Sequence, residues 1–306
     1  MTPTFNRAGS IARTIESVLA QSYPHWRMLV VDDASTDETL KVVAPYAQRD
    51  PRIRVLERKQ NGGVLVARND ALEHLPAEVS WLTSVDSDDY LLPDALAVMA
   101  EHIRRMPDVR VFCFGTRYTD GTPTFELESP RFGTYADYLL GRNPRGEWAQ
   151  VMQRSFVDDG LRFDERLRRD PLVGLFLRIA RITPFYYVPS VVRMMARDNV
   201  SITRPAQRDR SFYEEQAQVH EVYLECFGDD LKALSPKRFS NRLAQYAEAC
   251  AHAGRRRRAW SAWLRSVWAL PWRGKHLRKL VAMHRALADS RRSDRIALQA
   301  TTPPGP

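Results

Sequence analysis

Two acidic clusters carry the residue types that the chemistry of a phosphate-bearing substrate requires. Two carboxylates stand at 32–33 and three more lie within 86–89, and each cluster directly follows an apolar run, at 28–31 and 79–85. A nucleoside diphosphate carries several negative charges, and a hard divalent cation held by carboxylates neutralises them. Two carboxylates at i and i+2 can divide that work, one reaching a ribose or a metal-bound water and the other binding the metal. Taken alone, such a D-x-D pattern is more typical of a solvated acidic loop, because acidic loops are common.

The elements that would position these clusters follow from hydrophobic periodicity, which predicts helices and strands in alternation. The predicted elements are a helix at 11–19, a strand at 28–31, a helix at 35–43, a strand at 53–56, a helix at 66–72, a strand at 79–85, a helix at 93–103 and a strand at 109–114. Ser35, with Glu38 three positions later, is predicted to begin the second helix as a capping box. This order predicts an α/β fold with a mostly parallel sheet flanked by helices, in which ligands bind at the carboxyl ends of the strands. Both acidic clusters lie at such ends.

Five segments of the first 95 or so residues add a specific context. They read PTFNR at 3–7, SVLAQSY at 17–23, VVDDASTD at 30–37, NGG at 61–63 with ARN at 67–69, and VDSDDY at 85–90 followed by Pro93. In order and spacing, these blocks closely resemble the opening of the inverting, GT-A-type glycosyltransferases of family 2. The resemblance implies a GT-A-type nucleotide-binding domain and a sugar transferase activity.

The resemblance assigns donor-binding roles to five residues. Thr4, Asp32 and Asp33 match positions that line the nucleobase and ribose pocket. Arg68 matches an arginine near the base and the diphosphate, and its alternative is a surface ion pair. Asp86 matches the ribose position of the D-x-D motif. The implied donor is a nucleotide sugar, with a UDP-sugar favoured.

A divalent cation, Mn²⁺ or Mg²⁺, is implied at the same motif. Asp88 and Asp86 match the metal-binding positions, and Asp89 is an alternative ligand or an acceptor behind them. Asp37 matches a further acidic position after the second strand. Its alternative is a first-turn aspartate that the helix dipole stabilises.

The catalytic base is expected in the second half of the domain, where the match is weaker. The segment LRFDERL at 161–167 resembles the F-D-E segment of the family, and LFLR at 175–178 resembles an arginine-ended helix after it. The Glu-Asp pair of the family would fall seven and six residues before that arginine, where this chain has Pro171 and Leu172. Asp170 lies one position earlier, and a register shift around the proline would bring it into place, since proline is well tolerated in a first helical turn.

Alternatives to Asp170 as the base stay open. Asp170 is also a suitable N-cap for the helix that follows it. Asp158, Asp159 and Asp164 are the other carboxylates within this part of the chain. A base is needed because the mechanism of the family is a single displacement, in which a deprotonated acceptor hydroxyl attacks the anomeric carbon.

The start of the chain departs from the family. An apolar strand in the middle of the sheet normally precedes the PTFNR block, whereas only Met1 and Thr2 precede it here. We therefore expect the first strand to be missing or truncated. Either the natural product begins upstream, or other packing repairs the sheet, because losing a central strand would exhaust a stability of about 5–15 kcal/mol.

The C-terminal third carries the positive charge. The formal charge is +9, but residues 251–296 hold 13 Lys and Arg against two Asp, whereas the remaining residues hold 33 Lys and Arg against 35 Asp and Glu. We expect a GT-A-like domain over 1–204, a helical, basic, tryptophan-rich region over 205–296 and a disordered tail over 297–306. One apolar helix face is predicted from the spacing of Trp260, Trp263, Leu264, Val267 and Trp268.

This basic region allows three interpretations. It is a helical hairpin docked on the catalytic domain, or it attaches to an anionic membrane surface through 255–285, or it binds nucleic acid. No nucleic-acid module accompanies the charge, so no nucleic-acid partner is expected. Three scattered cysteines, no secretory leader and no long apolar run indicate a cytoplasmic protein, with the inner face of the cell membrane as a further location.

The function that these patterns favour is transfer of a sugar from a nucleotide-sugar donor to a hydroxyl of a glycan or lipid-linked acceptor, as in the synthesis of surface polysaccharide. The alternatives are a catalytically degenerate nucleotide-binding homologue, favoured by Pro171 and Leu172, and a peripheral membrane adaptor. A dinucleotide-dependent oxidoreductase is excluded, because no G-x-G-x-x-G turn follows the first strand.

Overall fold

A computed structural model of the chain describes residues 1–168, 170–196 and 209–270, together with Val281 and Arg285. The chain divides into two compact units, Met1–Ser201 and Ile202–Pro306. The predicted tail at 297–306 and most of the basic stretch after residue 270 lie outside the described residues. Among the described helices, none is both long and apolar enough to cross a membrane.

The first unit begins with a three-stranded parallel sheet in the order β1-β2-β3. Its elements are β1 Thr2–Thr4, α1 Ile11–Leu19, β2 Met28–Asp32, α2 Thr39–Arg49, β3 Ile53–Glu57 and α3 Val64–Glu73. Helix α1 forms because Ile11, Ile15 and Val18 recur at helical spacing, and all three are buried. Every residue of β2 is buried, as expected for a strand covered on both faces.

A second sheet has the strand order β4-β8-β6-β9-β5, with β7 paired to β9. Its elements are β4 Trp81–Thr83, β5 Tyr90–Leu91, α4 Ala95–Arg105, β6 Val111–Tyr118, β7 Arg131–Gly133, α5 Tyr135–Leu139, β8 Trp148–Gln153, α6 Ser155–Asp158, a π-helix Leu172–Phe176, α7 Leu177–Ile182 and β9 Phe185–Met195. The α/β class is confirmed, but in this sheet only β6 and β9 pair in parallel. The expectation of a mostly parallel sheet is wrong here because β8 and β9 were not recognised, and antiparallel neighbours need no crossover helix.

The first strand, which was expected to be missing or truncated, is present as β1 and is three residues long. It pairs in parallel with β2 on one side. On the other side, the amino group of Met1 donates to the carbonyl of Thr83 at 2.9 Å, and the Met1 carbonyl accepts from the amide of Val85 at 3.0 Å. Met1 therefore connects the two sheets next to the D-x-D motif.

The predicted capping box at Ser35 and Glu38 is wrong. Helix α2 begins at Thr39, and the Ser35 hydroxyl donates instead to a carboxylate oxygen of Asp32 at 2.5 Å. The Thr39 amide donates to Asp37 at 2.9 Å, so Asp37 stabilises the start of the helix. Asp37 has a lowered pKa because it accepts the hydroxyl hydrogen bond of Thr39, which favours the ionised carboxylate.

Three helices form the described part of the second unit: α8 Arg210–Leu234, α9 Pro236–His252 and α10 Arg256–Ala269. The predicted apolar face of α10 is divided in the structure. Trp263 packs against the core of this unit, whereas Trp260, Leu264 and Trp268 are exposed. Small residues take the buried positions of α10: Ala259, Ala262 and Ser266.

Candidate active site

The loop after β2 is shaped by the carboxylate of Asp32. This side chain is buried and accepts from both the amide of Ser35, at 2.9 Å, and its hydroxyl. The Ser35 hydroxyl in turn accepts from the amide of Asn6, at 2.9 Å, so the loop after β1 is fixed to the loop after β2. Asp32 thus positions the backbone at the carboxyl ends of both strands.

Asp33 clamps a second loop to the same edge of the sheet. Its carboxylate accepts from the amides of Gly62 and Gly63 at 2.9 and 2.7 Å, and from the guanidinium of Arg58. Gly63 precedes α3 at φ +90°, where a side chain would be strained. Arg58 also donates to Asp70 on α3. Sequence reasoning missed Arg58, because one basic residue after a strand has no distinguishing pattern.

Thr4 contributes an unused hydrogen-bonding group at the end of β1. It is buried, and its hydroxyl oxygen has no hydrogen-bond partner among the residues that the structure describes. A buried hydroxyl without a partner costs about 1–3 kcal/mol. Because ligands of α/β proteins bind at the carboxyl ends of strands, a polar ligand there could supply the missing hydrogen-bond partner of this hydroxyl.

Arg68 joins α3 to the D-x-D loop. Its guanidinium donates to Asp86 at 2.8 Å, and the Arg68 side chain is only 11% exposed. Arg68 thus forms an ion pair, as the alternative predicted, but its own side chain is buried rather than exposed at the surface. Partial burial raises the pKa of Asp86, but the charges of Arg68, Arg193 and Arg7 together outweigh this effect and hold that pKa below its usual value.

Helix α1 holds the backbone of the D-x-D loop. The Ser10 hydroxyl donates to the carbonyl of Ser87 at 2.9 Å, and the Thr14 hydroxyl donates to that of Asp89 at 2.7 Å. Because its backbone is held in this way, the loop can present the side chain of Asp88 outward. That side chain is 29% exposed and lies 3.5 Å from the guanidinium of Arg7.

The side chain of Asp89 is directed to β9 instead. Its carboxylate lies 3.6 Å from Nε of Arg193 and accepts from the amide of Ala196 at 3.2 Å. Burial raises the pKa of Asp89 to about 7, although the charge of Arg193 opposes this shift. Arg193, which is 8% exposed, also donates to the carbonyls of Ser84 and Trp148. This buried ion pair under the D-x-D loop was not foreseen from the sequence.

Replacing Arg193 with methionine is expected to lower the free energy of unfolding by about 1–3 kcal/mol, because it removes the cation beside Asp89 and the hydrogen bonds that Arg193 donates to the carbonyls of Ser84 and Trp148. Urea titration measures the loss. Adding Asp89→Asn to Arg193→Met should recover part of it, and Arg117→Met, at an exposed position of β6, is the matched control. An Arg193→Met protein that unfolds at the wild-type urea concentration would contradict the role of this ion pair.

A divalent cation is compatible with the exposed carboxylates of the motif. The described residues hold no group of three or more His, Cys, Asp and Glu that could bind a metal on their own. Asp86 and Asp88, however, have side chains 46% and 29% exposed. Mg²⁺ is commonly held by one or two carboxylates together with substrate phosphates. The donor set therefore fits a cation that the nucleotide itself helps to bind.

Asn69 fixes the F-D-E segment to α3. Its amide group donates to the carbonyl of Phe163 at 3.0 Å and accepts from the amide of the same residue at 2.8 Å. It also donates to the carboxylate of Glu165 at 2.9 Å. The neighbouring Arg68 lies over the Phe163 ring, 5.8 Å from its centroid. Two segments almost a hundred residues apart in sequence thereby meet at the D-x-D loop.

Two of the alternative bases do not fit that role. Asp158 and Asp159 follow β8, which runs antiparallel to β4, so they lie at the opposite end of β4 from the D-x-D motif. The Arg154 amide, just before them, donates to the carbonyl of Ser80 at the start of that strand.

Asp164 is also a poor base. Its side chain is only 7% exposed and is bound by Arg166 at 2.7 Å and by Arg178 at 2.8 Å. The hydrogen bond from Arg166 lowers the pKa of Asp164, which weakens it as a proton acceptor. Its contacts instead hold the arginine of α7 in place.

Asp170 caps the helix that follows it. Its carboxylate accepts from the amide of Val173 at 2.9 Å, as the capping alternative predicted. After Pro171, the chain forms the π-helix Leu172–Phe176. The π-helix is a rare geometry, and where it occurs it is often found at a functional site. Gly174 of this π-helix packs near Leu65 of α3, which brings the π-helix to the same helix that carries Arg68.

Comparison with known proteins decides the family. The sequence profile of Glycosyl transferase family 2 matches residues 1–156, half of the chain. The chain belongs to this family. Among its relatives is TuaG of Bacillus subtilis, a glycosyltransferase named for teichuronic acid biosynthesis. The two sequences are 38% identical over 141 residues, which is 45% of this chain and 55% of TuaG. The chain thus spans about half the length of this relative. It is 26% identical over 259 residues to the hyaluronan synthase of Pasteurella multocida, covering 80% of the chain and 26% of the synthase.

Solved structures show the fold of this glycosyl transferase family 2 chain. The S. aureus TarS structure in complex with UDP-GlcNAc superposes with a TM-score of 0.62 at 19% identity, covering 95% of this chain and 90% of TarS. A mannosyltransferase from Pyrobaculum calidifontis, in complex with GDP-Man and Mn²⁺, superposes with a TM-score of 0.52 at 19% identity, covering 94% and 85%. The GT-A-type fold predicted from the sequence is confirmed.

Proposed function

We propose that the chain transfers a sugar from a nucleoside-diphosphate donor, with a UDP-sugar favoured, to a hydroxyl of a glycan or lipid-linked acceptor by inverting displacement. One observation carries the proposal: Arg68 is paired with Asp86 and lies over Phe163. This contact joins the D-x-D loop to the segment that leads to Asp170. Relatives named for polysaccharide synthesis, and a TarS structure that contains UDP-GlcNAc, support the donor and acceptor classes.

The donor site comprises Thr4, Asp32, Asp33, Arg68 and Asp86. The unpartnered hydroxyl of Thr4 is available to a polar atom of the nucleoside. Asp32 and Asp33 set the two loops that border this end of the sheet. Arg68 provides positive charge beside the diphosphate, and Asp86 lies within its reach at 2.8 Å.

Asp88 and Asp86 would hold the cation, Mn²⁺ or Mg²⁺. The cation supplies charge neutralisation of the leaving diphosphate. Asp89 acts behind these residues, because its carboxylate is paired with Arg193. Arg7, 3.5 Å from Asp88, adds a positive charge at the same edge.

Asp170 serves as the base through the geometry of the π-helix. The acidic pair of the family falls seven and six residues before the arginine at 178, and Asp170 falls eight before it. A π-helix closes its turns over one more residue than an α-helix, so a π-helical segment absorbs about one extra residue. The π-helix Leu172–Phe176 lies between Asp170 and Arg178. Its extra residue offsets the difference between the eight positions that separate Asp170 from Arg178 and the seven found in the family. Asp170 thus accepts the proton of the acceptor hydroxyl as that oxygen attacks the anomeric carbon.

The proposed location is the cytoplasm, at the inner face of the membrane, where lipid-linked acceptors would be available. The transferase domain covers 1–204, and the helical region 205–296 would meet an anionic membrane through 255–285. The structure supports the helical nature of this region over its described part, α8 to α10. No nucleic-acid partner is proposed.

Nucleotide binding tests the proposed function. We expect one member of a panel of UDP, GDP, dTDP and CDP to raise the melting temperature of the wild-type protein in the presence of Mn²⁺. At a hundred times Kd, a ligand stabilises the folded state by about 2.7 kcal/mol. Release of the same nucleoside diphosphate from its sugar conjugate then measures turnover. If no nucleotide shifts the melting temperature with either cation, the donor site is not functional and the proposal fails.

A degenerate nucleotide-binding homologue is the second candidate function. Pro171 and Leu172 occupy the positions of the acidic pair, which favours this alternative. It predicts a Mn²⁺-dependent thermal shift without release of nucleoside diphosphate for any donor and acceptor tested. Turnover by the wild-type protein would exclude it.

A further inference from the structure

Helix α10 presents an exposed apolar stripe, consisting of Trp260, Leu264 and Trp268. These side chains recur every four residues and are 37, 49 and 84% exposed. Apolar groups at this spacing share one face of a helix. A continuous exposed stripe that includes two tryptophans marks an interaction surface, since single exposed apolar residues are ordinary but clustered ones are not.

Positive charge accompanies the stripe. Arg256, Arg257 and Arg265 are exposed and form no ion pair with any residue that the structure describes, and α10 contains no acidic residue. Arg258 is bound to the carboxylate of Glu221 at 2.7 Å, which neutralises one charge. A shallow depression that is open to solvent is lined by Gln218 and by the four consecutive arginines at 255–258. Arg255 and Arg258 both contact the carboxylate of Glu221, so Arg256 and Arg257 provide the uncompensated positive charge here.

We propose that α10 lies in the surface of an anionic lipid bilayer, with the stripe at the level of the headgroups and acyl chains and the arginines at the lipid phosphates. Tryptophan is enriched at membrane interfaces because its ring is amphipathic. A basic amphipathic helix combines burial of its apolar face with attraction to anionic lipid. This proposal specifies the membrane contact of the proposed function and rests on its membrane location, but it does not depend on the transfer chemistry.

The packing of α10 lets it bind lipid without unfolding. Its opposite face, through Ala259, Ala262 and Ser266, is buried in the core of the second unit. The hydroxyls of Ser240 and Ser266 each donate to the carbonyl of the other residue at 2.9 Å, which fixes α10 to α9. The stripe is therefore presented by a folded unit, and no ordering of the helix is required on binding.

Vesicle co-sedimentation of the full chain tests the surface. We expect the wild-type protein to sediment with phosphatidylcholine vesicles that contain phosphatidylglycerol, and not with pure phosphatidylcholine. Each removed arginine should weaken binding about fivefold. Replacing Arg256, Arg257 and Arg265 together with alanine should therefore weaken it on the order of a hundredfold.

Replacing exposed residues of the stripe tests its apolar part. Trp268→Ala and Leu264→Ala should each reduce sedimentation without lowering the melting temperature, because both side chains are largely exposed. Leu234→Ala, at an apolar side chain of α8 that is 46% exposed, is the matched control and should bind as the wild type does. Tryptophan emission should shift to the blue on addition of anionic vesicles, and the double variant Trp260→Phe, Trp268→Phe should lose that shift.

Several outcomes would overturn the membrane surface: no sedimentation, equal binding to neutral vesicles, or unchanged binding by both the arginine and the Trp268 variants. A change from dimer to monomer on Trp268→Ala, without vesicle binding, would assign the stripe to a second copy of the chain. The nucleotide thermal shift is an independent readout. A protein that binds nucleotide but no vesicles refutes the membrane surface alone, and one that binds vesicles but no nucleotide refutes the transferase alone.

Discussion

Asp88→Asn is expected to lower kcat/KM for release of the nucleoside diphosphate by about two to three orders of magnitude, because a metal ion contributes several kcal/mol of charge stabilisation. The amide has nearly the shape of the carboxylate but not its charge. The effect on the fold should be small, because the Asp88 side chain is 29% exposed and its 3.5 Å contact with Arg7 is a partly exposed ion pair. A Mn²⁺ titration of turnover and a melting curve measure the two effects.

Two further variants make this result specific. Asp108→Asn, at an exposed carboxylate before β6, should behave as the wild type. Asp89→Asn should keep the Mn²⁺ dependence of turnover while changing stability, because its carboxylate is paired with Arg193. If Asp88→Asn retains the wild-type response to Mn²⁺, the cation is not held by this motif and the proposed metal site is wrong.

Asp170→Asn is expected to lower kcat by about 10²–10⁴-fold, the usual contribution of a general base. Nucleotide-induced thermal shifts should not change, since Asp170 is not placed in the donor site. Asparagine caps a helix as well as aspartate does, so the hydrogen bond from the Val173 amide is preserved in this variant. The substitution therefore removes the base and leaves the cap.

The capping interpretation makes the opposite prediction. If Asp170 only caps the helix, Asp170→Asn and Asp170→Ser should both turn over at the wild-type rate. Asp170→Ala should then lose about 1 kcal/mol of stability with little change in kcat. Single-turnover measurements at saturating donor separate the two interpretations, because they report the chemical step without product release.

The parts of the fold that sequence reasoning predicted are those encoded locally. Ile11, Ile15 and Val18 repeat at helical spacing, and the helix is where their periodicity indicates. The uniformly apolar run before Asp32 is a fully buried strand. Because a strand end and its following residues are adjacent in sequence, both acidic clusters could be assigned to the carboxyl edge of a sheet.

The parts that were missed depend on contacts between distant residues. Arg193 pairs with a carboxylate more than a hundred positions earlier, and no local pattern distinguishes it from a surface arginine. Ser35 has the spacing of a capping box, but its hydroxyl donates to the Asp32 carboxylate instead of capping the helix. The π-helix was likewise not predicted as such, although the one-residue offset of Asp170 from the family pattern is a local signal for it.

The position of β9 in the second sheet has a consequence for the order of folding. This strand, Phe185–Met195, lies between β6 and β5. Both neighbours come earlier in the chain, so they cannot complete their pairing until β9 has been synthesised. The 1–156 segment that matches the family profile therefore lacks an interior strand and would expose the pairing edge of β6. During translation, that edge stays unpaired until about residue 195 has left the ribosome, and an unpaired strand edge is a site at which chains can associate.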